Sequence, residues 1–279
     1  MVVDSQNTIS YSYDQLNRLQ TVTEDVYGNP GTVYTTYTFD MAGNRETQTV
    51  TDSVYSTQTT YAYNEQNRLT GLLVTVGGNQ SKIASYTYDN NGNQLTVTES
   101  VYGHPNSITT HSFDEFNNLT GTITPDGQVI SNTYNGEGLR VERTIDGDTT
   151  RYLYEYSDVI LELDGQNNEK ALNIRGDSLL SRTMVSGTYF YFYNGHGDVT
   201  ALTDENGNVA ATYMYDAFGN QQTVTGSVYN DNPYRYAGYL YDVETENYYL
   251  TSRHYDPSIG RFISEDSFSG VINDPLSLN

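Results

Sequence analysis

Residues 11–19 read Tyr11-Ser12-Tyr13-Asp14-Gln15-Leu16-Asn17-Arg18-Leu19, and variants of this stretch recur along the chain. Each variant has two aromatic residues separated by one residue, then Asp or Asn, a short turn, and Asn-Arg-Leu or Gly-Asn. Further copies begin at residues 37, 61, 86 and 213, and a weaker copy begins at His111. The first five copies are about 25 residues apart, a period typical of stacked supersecondary units. The stretch therefore predicts a repeat fold, with room for two strands and two turns in each unit.

The residue types of one repeat predict its local structure. The two rings lie at i and i+2, so they share one face of a strand and can form ladders with neighbouring units. The Asp or Asn begins a turn, because its side chain can accept hydrogen bonds from backbone N–H groups two residues on. We expect the Arg of Asn-Arg-Leu to pair with a carboxylate of a neighbouring unit. The predicted structural repeat residues are Tyr11, Tyr13, Asp14, Phe39, Asp40, Tyr61, Tyr63, Tyr86, Tyr88, Asp89, Tyr213, Tyr215 and Asp216.

The composition of the 279 residues favours an all-β protein and excludes several functional classes. There are 28 Tyr, 24 Gly, 8 Phe and 6 Pro, and tyrosine suits the half-buried surface of a sheet. The chain has no Cys, so it can form neither a disulfide nor a thiolate metal site. Thirteen Lys and Arg oppose 35 Asp and Glu, and the net charge of -22 opposes binding to nucleic acid. No apolar run is long enough to cross a bilayer, so we expect no membrane insertion.

A second set of motifs lies in the C-terminal third. Tyr234-Arg235-Tyr236-Ala237-Gly238 is followed by Tyr255-Asp256-Pro257 and by Gly260-Arg261-Phe262. Together with the repeats, these motifs resemble the YD-repeat or RHS-repeat family of RHS proteins, Gram-positive wall-associated proteins, insecticidal Tc toxin C components and teneurins. The stretch from residue 234 to residue 266 is similar to the RHS-associated core of that family. The core residues that the resemblance implies are Tyr236, Gly238, Tyr255, Asp256, Pro257, Gly260, Arg261 and Phe262.

The resemblance implies an antiparallel β-ribbon spiral, as a YD-repeat solenoid or partial shell, with a plug-like C-terminal core segment. Residues 1–232 would form the spiral. Residues 233–279 would form a core-like segment that packs on the spiral and is not an independent domain. Met1 leads directly into a repeat, and the chain ends before the elements that follow the core in the family. We therefore expect a fragment of a longer secreted or cell-surface protein.

The function implied by the resemblance is that of a non-enzymatic structural scaffold. In a longer parent it would enclose or present a polymorphic C-terminal toxin, so the expected partner is the parent's own cargo. An alternative is a cell-surface adhesion or carbohydrate-binding module, because outward tyrosine and asparagine side chains suit glycans or a receptor. Open β edges also make self-association an expectation.

Two kinds of turn segment could carry chemistry. His196-Gly197-Asp198 could supply a base and a carboxylate, or it could form a turn between strands. Residues 89–93 and 204–208 resemble calcium loops, but their glycines do not match the EF-hand position and Asn-Gly favours a hairpin. We expect turns in all three places, and calcium is the one cofactor left open.

The remaining candidates are acidic and histidine side chains. Glu265 and Asp266 could form a carboxylate pair for glycoside hydrolysis, although such pairs arise by chance in so acidic a chain. His104, His111 and His254 are scattered and show no metal-ligand spacing. We therefore predict no catalytic residue and no metal site.

Overall fold

The computed structural model describes residues 8–25 and 31–265. These residues fold as two compact units, with the division after Thr109. Apart from a single 3-10 turn at Tyr236–Gly238, every regular element in the described residues is a β-strand. No helix in this part of the chain is long and apolar enough to cross a membrane.

The first unit is built from strands that each pair antiparallel with the next. They are β1 (Thr8–Tyr13), β2 (Leu19–Asp25), β3 (Val33–Phe39), β4 (Arg45–Thr51), β5 (Ser56–Tyr63), β6 (Leu69–Val76), β7 (Asn79–Tyr88) and β8 (Gln94–Val101).

The second unit continues the same up-and-down pairing from β9, whose first residues precede the division. Its main strands are β9 (Ser107–Phe113), β10 (Leu119–Ile123), β11 (Val129–Tyr134), β12 (Arg140–Ile145), β13 (Asp148–Glu155), β14 (Asp158–Asp164), β15 (Glu169–Arg175), β16 (Leu179–Met184), β17 (Gly187–Tyr193), β18 (Val199–Thr203), β19 (Val209–Tyr215) and β20 (Gln221–Gly226). The all-β, antiparallel prediction is therefore confirmed.

Residues 233–265, called the core segment below, form a separate small antiparallel sheet. Its strands are β21 (Leu240–Asp242), β22 (Asn247–Tyr249), β23 (His254–Asp256) and β24 (Arg261–Phe262). Residues 266–279, which the sequence assigns to the same segment, lie outside the described residues.

Eleven turns in the described residues have the same pair of backbone hydrogen bonds. The N–H of the first residue donates to the carbonyl four positions later, and the carbonyl of the first residue accepts from the N–H three positions later. In the turn at Asp14, the backbone N–H groups of Leu16 and Arg18 donate to Oδ1 at 2.8 and 2.9 Å. The residue three positions after the turn's first residue has a positive φ, for example 59° at Asn17 and 99° at Gly92. Asn and Gly tolerate this conformation best, which explains their place in the repeat. The turns begin at Asp14, Asp40, Asn64, Asp89, Asp114, Thr124, Asn135, Asp164, Asn194, Asp204 and Asp216.

The arginine that follows the first turn does not pair as predicted. Nε of Arg18 donates to Oδ2 of Asp14 at 2.7 Å, so it binds the carboxylate of its own turn. The predicted pairing with a neighbouring unit is wrong for Arg18, because the turn already orients Asp14 beside it. Arg68 does reach the next turn, where Nη1 donates to the backbone carbonyl of Asp89 at 3.3 Å.

The second aromatic residue of many repeats ties its strand to an earlier one through its hydroxyl group. Oη of Tyr88 donates to the carbonyl of Leu69 at 2.8 Å, and Oη of Tyr215 donates to the carbonyl of Val199 at 3.0 Å. In each case the acceptor is the first residue of a strand that leaves a turn. A phenylalanine could not make this bond, which gives a physical reason for the excess of tyrosine. The same bond is made by Tyr63, Tyr134, Tyr154 and Tyr193.

Candidate functional site

The attachment of the core segment to the repeats of the second unit is built on a buried ion pair. Nη1 and Nη2 of Arg140, at the start of β12, donate to the two carboxylate oxygens of Asp242 at 2.5 and 3.0 Å. Beside them, Nη2 of Arg143 donates to Glu244 at 2.5 Å. Burial alone would raise the pKa of Asp242, but the two guanidinium groups hold it well below its usual value. The carboxylate is therefore ionised and fully engaged at neutral pH.

Aromatic side chains complete this attachment. The backbone N–H of Arg140 donates to Oη of Tyr249 at 2.8 Å, and Tyr249 in turn donates to the carbonyl of Thr251. Nε2 of His254 lies 3.2 Å from Oη of Tyr134 on β11. Burial lowers the pKa of His254 to about 3 in spite of the nearby Asp242. His254 is therefore neutral at pH 7, and Arg140 and Arg143 supply the positive charge that Asp242 needs.

A second attachment point is Asn232, which is fully buried. Its Oδ1 accepts hydrogen bonds from Oη of Tyr191 at 2.7 Å and from the backbone N–H of Tyr234 at 3.0 Å. Its Nδ2 donates to Oη of Tyr213 at 3.2 Å and to the carbonyl of Tyr234 at 2.7 Å. The four bonds join β17, β19 and the first residues of the core segment. The sequence offered no signal for this role beyond an asparagine next to the core motif.

The segment His196-Gly197-Asp198 folds as one of the eleven turns and also holds the core segment. Oδ1 of Asp198 accepts from the backbone N–H of Ala237 at 2.8 Å and lies 2.8 Å from Nδ1 of His196. Oδ2 of Asp198 accepts from Nδ2 of Asn194 at 2.7 Å. The motif therefore forms a turn between strands, the second of the two alternatives, and Asp198 links this turn to the core segment.

The predicted repeat residues occupy equivalent places in their strands and turns, but the rings of the first repeat are more exposed than those of later repeats. The first rings of three later repeats are buried, with exposed fractions of 5% at Tyr37, 7% at Tyr61 and 2% at Tyr213. Tyr11 and Tyr13 are instead 47% and 59% exposed. The acidic repeat residues Asp14, Asp40, Asp89 and Asp216 all begin turns, Tyr86 is buried, and Phe39 closes β3.

Three of the predicted core residues bind the turn that begins at Asp216. Oη of Tyr236 donates to the carbonyl of Ala217, and Oη of Tyr255 donates to the carbonyl of Phe218. The carbonyl of Pro257 accepts from Nδ2 of Asn220 at 2.9 Å. The other predicted core residues are Gly238 and Gly260, both with positive φ, Asp256, which pairs in register with Arg261, and Phe262, whose ring contacts that of Tyr255.

The candidate calcium loops fold as the same turns. Asp204 accepts the backbone N–H groups of Asn206 and Asn208 on Oδ1, and its Oδ2 accepts Nδ2 of Asn208. The Asn208 bonds hold the pKa of Asp204 below its usual value. The turn at Asp89 is closed in the same way. Within residues 8–25 and 31–265, no group of three or more His, Asp or Glu side chains could hold a metal ion.

The scattered histidines and the acidic pair have separate surroundings. His111 is buried, and its Nδ1 lies 3.0 Å from Oγ1 of Thr122. Burial lowers the pKa of His111 to about 4. His104 follows β8 in the first unit. Asp266 lies outside the described residues, so the structure does not test whether Glu265 and Asp266 form a carboxylate pair.

The sequence and the fold can both be compared with known proteins. The family model of the teneurin YD-shell matches residues 175–279. The tRNA3(Ser)-specific nuclease WapA of Bacillus spizizenii is 36% identical over 275 residues, which are 96% of this chain and 11% of that protein.

The chain belongs to the YD-repeat family. The double-stranded DNA deaminase toxin A of Burkholderia cenocepacia is also similar, with 36% identity over 94 residues, or 32% of this chain and 6% of that protein. A chain of the Tc holotoxin pore of Photorhabdus luminescens superposes with a TM-score of 0.50 at 14% identity, over 98% of this YD-repeat chain and 17% of its own length. This last likeness shows the fold. The YD-repeat chain spans about a tenth of the length of the WapA nuclease that it matches.

Proposed function

We propose that this YD-repeat chain is a non-enzymatic scaffold, part of a shell that encloses or presents a C-terminal toxin in a longer protein. The observation that carries the proposal is the buried attachment of the core segment through Arg140 and Asp242. Because the core segment is held against the repeats, the chain that follows it starts from a fixed position. A carrier of downstream cargo requires such a fixed position.

The named activities of the relatives support a role that is shared between different toxins. One relative is named as a tRNA nuclease and another as a DNA deaminase toxin, and this chain spans only 11% and 6% of them. Two different chemistries beside one similar segment suggest that the chemistry lies outside that segment. The net charge of -22 also opposes binding of tRNA or DNA by this chain, because acidic surfaces repel phosphates.

The proposed location follows from the proposed cargo. A protein that delivers a toxin has to be exported or displayed, so we place the parent outside the cell or at its surface. Cell-surface adhesion is a second candidate, supported by tyrosines that are 53%, 62% and 85% exposed at Tyr34, Tyr55 and Tyr102. Self-association through open β edges stays a prediction.

A protease-sensitive peptide appended after Asn279 tests the scaffold. We expect slower cleavage there than for the same peptide placed before Met1, and we expect Asp242→Asn to remove the difference. Asp158→Asn is the control, because this carboxylate is half exposed and pairs outside the attachment. Equal cleavage at both ends of the wild-type chain, or cleavage of tRNA by the purified chain, would contradict the proposal.

A further inference from the structure

A cavity of about 610 Å³ lies in the second unit, between turns of the main strands and the core segment. One wall is formed by the ends of β13, β15 and β17 with their turns, and the other by residues 237–240 with Tyr249 and Thr251. Its volume lies within the range of pockets that bind small molecules. Neither the scaffold role nor the core attachment requires a space of this size.

Most tyrosines around the cavity already have a structural partner. Oη of Tyr154 donates to the backbone carbonyl of Arg140, and Oη of Tyr193 donates to the backbone carbonyl of Leu179. Tyr239 differs, since its side chain makes no hydrogen bond or ring contact in the described part of the chain and is 39% exposed. Its backbone is nevertheless held, because its N–H donates to Tyr236 and its carbonyl accepts from Arg235 at 3.0 Å in both bonds. The fold therefore fixes the backbone of Tyr239, whose residue lines the cavity.

The polar side chains of the lining offer both donors and acceptors. Arg175 binds Asp158 at 3.0 Å through Nη1, but its buried Nε has no hydrogen-bond partner in the described residues. Asp177 contributes a second carboxylate to the wall. His196, whose Nδ1 faces Asp198, has a side chain that is 60% exposed.

The wall carries charges of both signs, and this favours a neutral ligand over an anion or a cation. An anion would meet the carboxylates of Asp158 and Asp177, and a cation would meet the guanidinium group of Arg175. A neutral polyol can donate to the carboxylates and accept from the guanidinium and imidazole groups. A sugar also has an apolar C–H face that packs on an aromatic ring.

We propose that this cavity binds a neutral hexose, as the terminal residue of a glycan. The ring of Tyr239 packs on the C–H face of the sugar. Arg175, Asp158 and Asp177 bind its hydroxyl groups. The site differs from the exposed tyrosines of the first unit, and it does not depend on the scaffold role.

The test uses the whole chain and saturation-transfer NMR with the methyl glycosides of glucose, galactose and mannose and with N-acetylglucosamine. We expect at least one of them to bind saturably, with a Kd of about 1 mM or tighter. Sodium glucuronate should bind at least tenfold more weakly than the corresponding glucoside, because its carboxylate meets Asp158 and Asp177. Tyr239→Leu and Arg175→Gln should each weaken binding at least tenfold. The control Phe116→Leu removes an 83% exposed ring outside the cavity and should leave binding unchanged.

Three results would overturn the proposal. They are no saturable binding of any neutral sugar, binding that survives Tyr239→Leu, and equal or tighter binding of glucuronate. Because Arg175 also contacts Asp158 and the ring of Tyr234, the Tyr239→Leu variant decides the outcome if Arg175→Gln does not fold.

Discussion

Arg140 and Asp242 are 102 residues apart in the sequence and form a bidentate ion pair with side-chain exposures of 1% and 8%. The guanidinium carbon of Arg140 also lies 4.4 Å from the centre of the Tyr249 ring. A pair at this depth stabilises the fold only while both charges are present, because either one alone is left buried and uncompensated. This pair therefore couples the core segment to the repeats of the second unit.

Removing one partner of the pair should destabilise the second unit strongly. We expect Asp242→Ala to lower the free energy of unfolding by about 3–5 kcal/mol, the cost of an unpaired buried charge. Urea unfolding measures the change. Asp158→Ala is the matched control, because its carboxylate pairs with Arg175 but is 52% exposed, and it should cost about 1 kcal/mol or less. An equal loss of unfolding free energy in the two variants would show that the buried Asp242 pair stabilises the fold no more than the exposed Asp158 pair does.

The hydroxyl bonds between strands predict that Tyr→Phe changes are costly only where these bonds exist. Tyr88→Phe and Tyr215→Phe should each lower the free energy of unfolding by about 1–2 kcal/mol, because the carbonyls of Leu69 and Val199 lose their partner. Thermal and urea unfolding measure the loss. Tyr102→Phe, at an 85% exposed ring, should change nothing, and a similar loss there would contradict this role of the hydroxyl groups.

The positive φ three positions after the first residue of each turn predicts a difference between two glycines that both border open space. Gly207 has a φ of 80°, and a Cβ there would meet no atom within 4 Å. Gly207→Ala should therefore cost about 1–2 kcal/mol through backbone conformation alone. Gly195 has equal space without a positive φ, so Gly195→Ala should be neutral or slightly stabilising. Urea midpoints that fall equally for both variants would exclude the conformational explanation.

The two buried histidines predict that the second unit loses stability in mild acid. The pKa of His111 falls to about 4 and that of His254 to about 3 in the folded chain, against about 6.5 when unfolded. Below pH 6.5 the unfolded chain therefore binds more protons than the folded one, and stability falls as the pH falls. Between pH 6.5 and pH 5, each histidine should cost about 2 kcal/mol.

Urea unfolding at pH 7 and pH 5 measures this loss, and His111→Gln should reduce it by about half, by removing one of the two groups. His104→Gln is the control, because His104 is an exposed residue of the first unit. A loss of stability in acid that is unchanged in His111→Gln would contradict the assignment to this histidine.

The sequence was sufficient to predict the strands and turns of the repeats that it revealed in this YD-repeat chain. An Asp or Asn, followed three positions later by Asn or Gly, defines ten of the eleven turns through bonds between residues at most four positions apart, and Thr124 begins the other turn. Aromatic residues at i and i+2 mark the strands that precede six of these turns, which begin at Asp14, Asp40, Asn64, Asp89, Asn194 and Asp216. Such interactions are local, so the residue types at a fixed spacing contain the information needed to place them.

The tertiary structure alone decided which distant side chains meet. Nothing near Arg140 or Asp242 in the sequence distinguishes them from the other charged residues, and their pairing depends on the path of the intervening strands. The same is true of Asn232 among its tyrosines, of the hydroxyl bonds from Tyr88 and Tyr215, and of the cavity beside Tyr239. Burial and long-range contact set the strength of these interactions, and neither follows from spacing along the chain.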